Sequence, residues 1–378
     1  MSLIVDEHRR YLADSHRLAA FEKAIRATVK PGDVVVDLGA GTGILGFLAC
    51  RAGAARVYAI DDGPVIGLAR ALCAASGFAD RVTFVKGLST RVTLPERADV
   101  VVADQIGRFG FEAGVWEYFA DARARLLKSG GATIPRRVEI WLSAVETAAL
   151  FEQIDFWSRA PAGFDVSAAR RLAVNTGYPV LLEPGQLLAE PARLGFFDLA
   201  EPEPRSIVLE AELTAARAGT LHGLGGWFRA ELATGIFMSN APGDPARIDR
   251  RNVFLPIREP LPVEPGDRVR VRARILPAAA MVSWRVIVTT PAGRRKGLFA
   301  HSTAEGMLLT AEDVERTRPG YVPRLSPWGL ARRTLLTLCD GERSVAAIEA
   351  ELCRRHPDLF PSSEAAGGFV AEVLTRYT

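Results

Sequence analysis

Apolar and polar positions divide the chain into four textures. In residues 1–30, Leu12, Leu18, Ala19, Phe21 and Ile25 make an apolar stripe with charges between them, which predicts helix. Pro31-Gly32 ends it. From 33 to 134 short apolar runs alternate with helical stretches, the pattern of a parallel α/β sheet. The predicted strands are 34–38, 56–60, 82–85 and 100–103, with Thr133 and Ile134 beginning another. Ile44, Leu45, Phe47, Leu48 and Ala52 fall on one intervening helix. Val65, Ile66, Leu68, Ala69 and Leu72 fall on the next.

After Pro135 the pattern turns to short β-type runs, among them 140–145, 206–213, 221–232, 268–276 and 284–289. Turns such as Glu264-Pro265-Gly266-Asp267 separate them, as in an antiparallel sandwich or barrel. A helical insert over 147–172 interrupts the series. Arg268, Arg270, Arg272 and Arg274 alternate with Val269, Val271, Ala273 and Ile275. A solvated strand face explains that alternation better than a groove for an acidic partner. Residues 305–378 return to helix at 330–338, 345–355 and 365–377 and form a third, small domain.

Composition changes this picture little. Of 378 residues, 48% are hydrophobic and 24% charged, which excludes disorder as the main state. Forty-seven bases against 44 acids give a net charge of +3, too weak a field to argue for nucleic acid. No run approaches the roughly 18 apolar residues of a membrane span. Cys50, Cys73, Cys339 and Cys353 lack the close spacing of a metal or redox motif and read as small core residues. No metal site is expected. The polar, charged start from Asp6 to Arg10 does not read as a secretory signal, and a cytoplasmic protein is expected.

The chemistry sits in Val34-Val35-Val36-Asp37-Leu38-Gly39-Ala40-Gly41-Thr42-Gly43, a strand running into a glycine-rich turn before a helix. Gly39, Gly41 and Gly43 let the backbone approach a ligand closely. Such a loop also fits a nicotinamide dinucleotide, the alternative cofactor. Two acids favour S-adenosylmethionine. Asp37 leads the turn, where a cationic amino group is welcome and a pyrophosphate is repelled. Asp61 ends the second strand, 18 residues after Gly43, and suits a ribose diol.

Across 8–304 the chain resembles the protein arginine methyltransferases. The resemblance begins at His8-Arg9-Arg10-Tyr11-Leu12-Ala13-Asp14-Ser15-His16-Arg17 and implies that Arg17 binds the cofactor carboxylate. It continues through 37–45 and Tyr58-Ala59-Ile60-Asp61, where the family usually has glutamate. Val85-Lys86-Gly87 and Thr93-Leu94-Pro95 match as well. The family's adenine-contacting glutamate falls on Thr90. Residues 157–165 resemble its dimerisation arm, implying a homodimer, and 221–228 resemble a characteristic barrel strand. The implied fold is a helical segment (1–30), a Rossmann-like cofactor domain (31–135) and a β-barrel (136–304).

The acceptor site departs from the family. There, two glutamates on one loop hold the planar guanidinium of the substrate. Here the first becomes Asp104, followed by Gln105 instead of an aromatic residue. The second falls on Ala113, beside Glu112. The threonine-histidine-tryptophan loop falls on Arg247-Ile248-Asp249. A one-residue deletion restores Glu112 to the place of the second glutamate, so Asp104 and Glu112 are the acids expected to orient the acceptor. Asp104 at a strand end is also readable as a capping residue, and Glu112 as a helix-start residue. These departures suggest an acceptor other than protein arginine. A true arginine methyltransferase with a rearranged acid pair and an inactive peptide-binding scaffold are the alternatives.

Beyond residue 304, Leu335-Leu336-Thr337-Leu338-Cys339-Asp340-Gly341-Glu342-Arg343-Ser344-Val345 resembles the small winged-helix domains that bind leaders of precursor peptides, such as the peptide chaperone of pyrroloquinoline quinone synthesis. The resemblance implies a peptide substrate, presented along a strand edge. A helical appendage that only packs or makes a dimer contact is the alternative.

Overall fold

A computed structural model describes residues 4–202 and 206–377. Residues 1–3 of the expected first helix, 203–205 and Thr378 lie outside the described residues. Residues 1–307 and 308–378 form two compact units.

The first unit opens with α1 (Ile4–Ala13) and α2 (Ser15–Thr28). The single stripe expected over 1–30 is thus broken at Asp14, whose carboxylate accepts the Arg17 N–H and caps α2. Strand β1 (Val34–Leu38), α3 (Ile44–Ala52), β2 (Arg56–Asp61), α4 (Ile66–Ala75) and β3 (Val82–Lys86) follow. Then come β4 (Ala98–Ala103), α5 (Val115–Arg125) and β5 (Leu127–Ile134). The five strands form a parallel sheet in the order β3-β2-β1-β4-β5. Every residue of β1 is buried, as suits a central strand covered on both faces.

The chain continues through β6 (Arg137–Val145), α6 (Ala148–Asp155), α7 (Arg170–Ala173), β7 (Tyr178–Val180) and β8 (Ala192–Asp198). It goes on through β9 (Ile207–Thr214), β10 (Gly219–Ala233), β11 (Ile236–Ser239) and β12 (Asn252–Val263). Last are β13 (Arg268–Leu276), β14 (Met281–Thr289) and β15 (Arg295–Ser302). One antiparallel sheet runs β7-β12-β10-β6-β8 with β11 on β10; the other runs β15-β14-β13-β9. Among the described residues the expected barrel is made of these two sheets, which the segment 187–189 links through isolated backbone bridges to Val145 of β6 and to Ala215 just after β9, and which side chains join further. Trp284 of β14, for example, donates its indole N–H to the Pro256 carbonyl of β12 at 2.9 Å. One apolar core runs from Phe21 through the parallel sheet to Val288.

The insert over 147–172 is less regular than expected. Short 3-10 turns separate α6 from α7, because Pro161, Ala162 at φ 52° and Gly163 interrupt the helix. The four arginines of β13 lie on a solvated face, where Arg270 and Arg272 meet Glu212 and Glu210 of β9.

The second unit holds α8 (Ala311–Arg316), α9 (Pro327–Leu338), α10 (Val345–Arg355) and α11 (Ser363–Tyr377). Ser326 and Ser344 cap α9 and α10. Leu335, Leu338, Ile348, Leu352, Phe360 and Val370 form a core of its own. The unit is helical, as expected, but no strand is found among its described residues, so the strand edge implied for a winged helix is not there. Pro319 and Pro323 punctuate the stretch before α9, where a ladder would lose N–H donors, and Pro327 opens the helix itself. No described helix of the chain is long and apolar enough to cross a membrane.

Candidate functional site

The order of the parallel sheet reverses at β1 and β4, and in open α/β sheets ligands bind in the crevice beyond the strand ends at that point. A cleft of about 780 Å³ lies there. Its floor is the turn after β1, where Gly39 and Gly41 take φ +65° and +55°. A Cβ on Gly41 would come 2.6 Å from His8 Cε1, so only glycine leaves this space open. Gly43 (φ +83°) caps α3 and lies behind the floor instead of lining the cleft.

Asp61, at the end of β2, faces the cleft. Its Oδ2 accepts the Gly41 N–H at 2.8 Å and its Oδ1 the Gly63 N–H at 2.7 Å. Each oxygen keeps a lone pair for a further donor. Asp37 sits elsewhere than expected: it is fully buried beneath the turn and does not line the cleft. Its Oδ2 accepts the Gly46 N–H at 2.9 Å, while Oδ1 has no partner. Burial pushes this carboxyl up to about 7, and the Gly46 hydrogen bond only partly opposes it. Thr90 also stands apart. Leu88 and Ser89 line a smaller cavity of about 70 Å³, which shares Gly39, Asp61 and Gln105 with the cleft, but Thr90 lines neither.

The opposite wall comes from α1 and α2. Asp14 accepts the Asp249 N–H through Oδ2 at 2.7 Å while capping α2, so the helix start is tied to the loop before β12. This turns the buried Arg17 inward. Its Nε donates to Asp104 Oδ2 at 2.6 Å and its Nη1 to the Tyr11 carbonyl at 3.3 Å. Arg250 reaches the same carboxylate, Nη2 to Oδ2 at 2.8 Å and Nη1 to Oδ1 at 3.1 Å. Burial pushes the Asp104 carboxyl up, but the charges of Arg250 and Arg17 and their hydrogen bonds outweigh it and hold the group below its ordinary value.

Glu112 lines the cleft, yet its carboxylate is turned into its own loop. Oε1 accepts the backbone N–H of Arg108, and the Phe109 N–H lies 3.1 Å from each oxygen. Gly107, at φ +81°, leaves the space into which that carboxylate folds. The expected pair of acids therefore shares one cleft without sharing one task.

Arg250 is the charged partner of Asp104 in this cleft that sequence reasoning missed. The available signal was the Arg250-Arg251 pair beside the altered 247–249 loop. Arg247 itself is structural, donating to the Leu182 carbonyl at 2.8 Å and to Asn252 Oδ1 at 2.9 Å, and Ile248 is core. Among the described residues no cluster suits a metal ion.

The donor set fits S-adenosylmethionine. Arg17 suits a carboxylate and Asp61 a diol, while Asp37 lies beneath the glycine turn and holds Gly46 at the start of α3.

Comparisons with known proteins agree. Residues 136–285 match the arginine methyltransferase oligomerization subdomain, and 18–134 match ribosomal protein L11 methyltransferase (PrmA). The arginine N(omega)-methyltransferase of Streptomyces achromogenes subsp. streptozoticus is 30% identical over 276 residues, 70% of this chain and 74% of that one. Protein arginine N-methyltransferase 1 of Chlamydomonas reinhardtii is 30% identical over 234 residues, 60% of this chain and 68% of the relative. The Trypanosoma brucei PRMT1 enzyme–prozyme complex with AdoHcy shares the fold, with TM-score 0.71 at 23% identity, over 78% of this chain and 96% of that one. Arabidopsis thaliana protein arginine methyltransferase 10 does so at TM-score 0.68 and 21% identity, again over 78% and 96%. The chain belongs to the protein arginine methyltransferase family of S-adenosylmethionine-dependent methyltransferases.

Proposed function

We propose that the protein transfers a methyl group to a peptide acceptor that is not held as a guanidinium between two acids. One observation carries this reading: both oxygens of Asp104 are already met by Arg17 and Arg250, while Glu112 is spent on backbone N–H groups of its own loop. An acceptor guanidinium would have to displace a buried, bidentate internal partner. The cofactor supplies an electrophilic methyl group on a sulfonium. The chain's residues do the positioning: Arg17 holds the cofactor carboxylate through its remaining donors, Asp61 holds the ribose, and Gly39 and Gly41 admit both closely.

The peptide is recruited by the C-terminal unit, which supports this role by having its own core and by exposing Leu308, Val322 and Trp328. A homodimer is supported by Phe156 and Phe164, exposed on the insert within the segment that matches an oligomerization subdomain. A second reading, transfer to a guanidine, is favoured by the name of the Streptomyces relative and requires the acceptor to exchange with Arg250.

Intact-mass analysis of peptide panels incubated with protein and S-adenosylmethionine tests the proposal. Methylation of arginine in glycine-arginine-rich peptides as the main activity would overturn it. Removing residues 308–378 should leave cofactor binding intact and lower peptide turnover; unchanged turnover would refute recruitment by that unit.

A further inference from the structure

We infer that the acceptor is a carboxylate of the peptide, guided in by Arg108 and Arg251 and held at depth by Arg250. The inference rests on the reading above and adds the acceptor class to it.

The charges lining the cleft are unevenly committed. Asp61, Asp104 and Glu112 are engaged as described, Asp6 pairs with Arg9 and Arg10, and Glu7 accepts from the Tyr11 hydroxyl. Among the described lining residues, Asp249 is the one carboxylate with no hydrogen bond or ion pair of its own side chain. The bases differ. Arg108 and Arg251 are exposed, line the cleft, and make no side-chain hydrogen bond or ion pair. They flank the inner ion pair in sequence: Arg108 follows Asp104 on the loop after β4, and Arg251 follows Arg250. The Nε of Arg250 is also uncommitted, while its Nη atoms hold Asp104 and the Gly107 carbonyl. The acceptor end thus offers two free guanidiniums and part of a third against one free carboxylate. Guanidiniums bind carboxylates by paired, charge-assisted hydrogen bonds and repel a cationic acceptor.

The chemistry agrees with that balance. At neutral pH a carboxylate has no proton to lose. Its oxygen forms the new C–O bond as the methyl–sulfur bond breaks, and the bonding pair stays on sulfur. A negative carboxylate and a positive sulfonium become a neutral ester and a neutral thioether, with no proton moved. Asp104, held as a carboxylate by two arginines, is a poor base. This acceptor needs none. A guanidinium acceptor would have to shed a proton and would meet Arg250 as a like charge.

The test uses the full chain saturated with S-adenosylhomocysteine and titrated calorimetrically with end-capped peptides. The glutamate peptide, or an otherwise neutral peptide with a free C-terminal carboxylate, should bind at least about tenfold tighter than the capped glutamine peptide, the scale of one charge-assisted hydrogen bond. Which of the two binds tells whether the carboxylate is a side chain or a terminus. Arg108→Gln combined with Arg251→Gln should weaken the preference, the remainder resting on Arg250, with retained S-adenosylhomocysteine binding reporting a folded variant; an unchanged preference would overturn the inference. With S-adenosylmethionine the product should gain one methyl group that mild alkali removes as an ester. Equal binding of all three peptides, or an alkali-stable methyl group, would overturn the inference while leaving the previous reading standing. Tighter binding and methylation of an arginine peptide would overturn both.

Discussion

Arg250 and Asp104 meet as a two-pronged fork at 2.8 and 3.1 Å, joining the loop before β12 to the end of β4 across 146 positions of sequence. Arg17 closes the third side. Removing the acid leaves two guanidiniums, both largely buried, without their shared partner. Asp104→Ala should therefore cost about 3–5 kcal/mol in denaturant unfolding. Asp104→Ala together with Arg250→Ala should cost clearly less than the two single substitutions summed, because the second change removes a charge the first has stranded. Strict additivity would show that the fork is not energetically coupled.

Asp61 holds the glycine turn through Gly41 and points into the cleft from the end of β2. Asp61→Ala removes the proposed diol acceptor and loosens the turn. S-adenosylmethionine affinity, read by calorimetry, should fall by at least about tenfold, in line with the 1.5–3 kcal/mol of hydrogen bonds to a charged group. Asp61→Asn keeps one acceptor oxygen for Gly41 and should lose less. Wild-type affinity in both variants would remove Asp61 from the site.

The strands that the sequence predicts best are those with the strongest local pattern. Strand β1 is an apolar run and β13 a strict alternation, and both have the bounds the pattern suggests. Strand β12 escaped notice because Pro256, Pro260 and Pro262 lie in it. It tolerates the last two because β7 pairs only with Asn252, Val253 and Phe254, leaving the rest of that edge without a neighbour that needs the missing N–H groups. The same divide runs through the site. The glycine turn and Asp61 are local features of consecutive strands. The engagement of Asp104 depends on Arg250 from the loop before β12, 146 positions away, which no local pattern encodes. Glu112 turns inward because Gly107 and the N–H groups after it form a loop its carboxylate can fill, a three-dimensional property of the turn.

Asp37 makes stability depend on pH. Its carboxyl is raised to about 7 in the folded protein, against 3.8 ordinarily. Between those values the folded chain keeps a proton that the unfolded chain has released, so this group lowers stability as pH rises from about 4 to about 7. Asp37→Asn replaces the protonated acid with a neutral group of the same shape. Thermal unfolding of the cofactor-free protein should show the variant gaining on the wild type across that window and levelling off above it. A difference that stays flat with pH would mean that the buried carboxyl ionises at its ordinary value.

His301 acts over much of the same range with the opposite sign. It is 4% exposed on β15, its ring is stacked on Trp284 at 5.4 Å, and neither ring nitrogen has a hydrogen-bond partner. Burial, with a smaller contribution from Arg258, lowers its pKa to about 4. Between about 6.5 and 4 the unfolded chain therefore takes up a proton that the folded chain refuses, and stability is lost as pH falls. His301→Phe keeps an aromatic ring against Trp284 and breaks no hydrogen bond. The variant should gain on the wild type as pH falls through that window, the reverse of the trend for Asp37→Asn, and the two substitutions together should largely cancel each other's slope. If both variants shifted in the same direction, the pH dependence would have to come from groups other than these two.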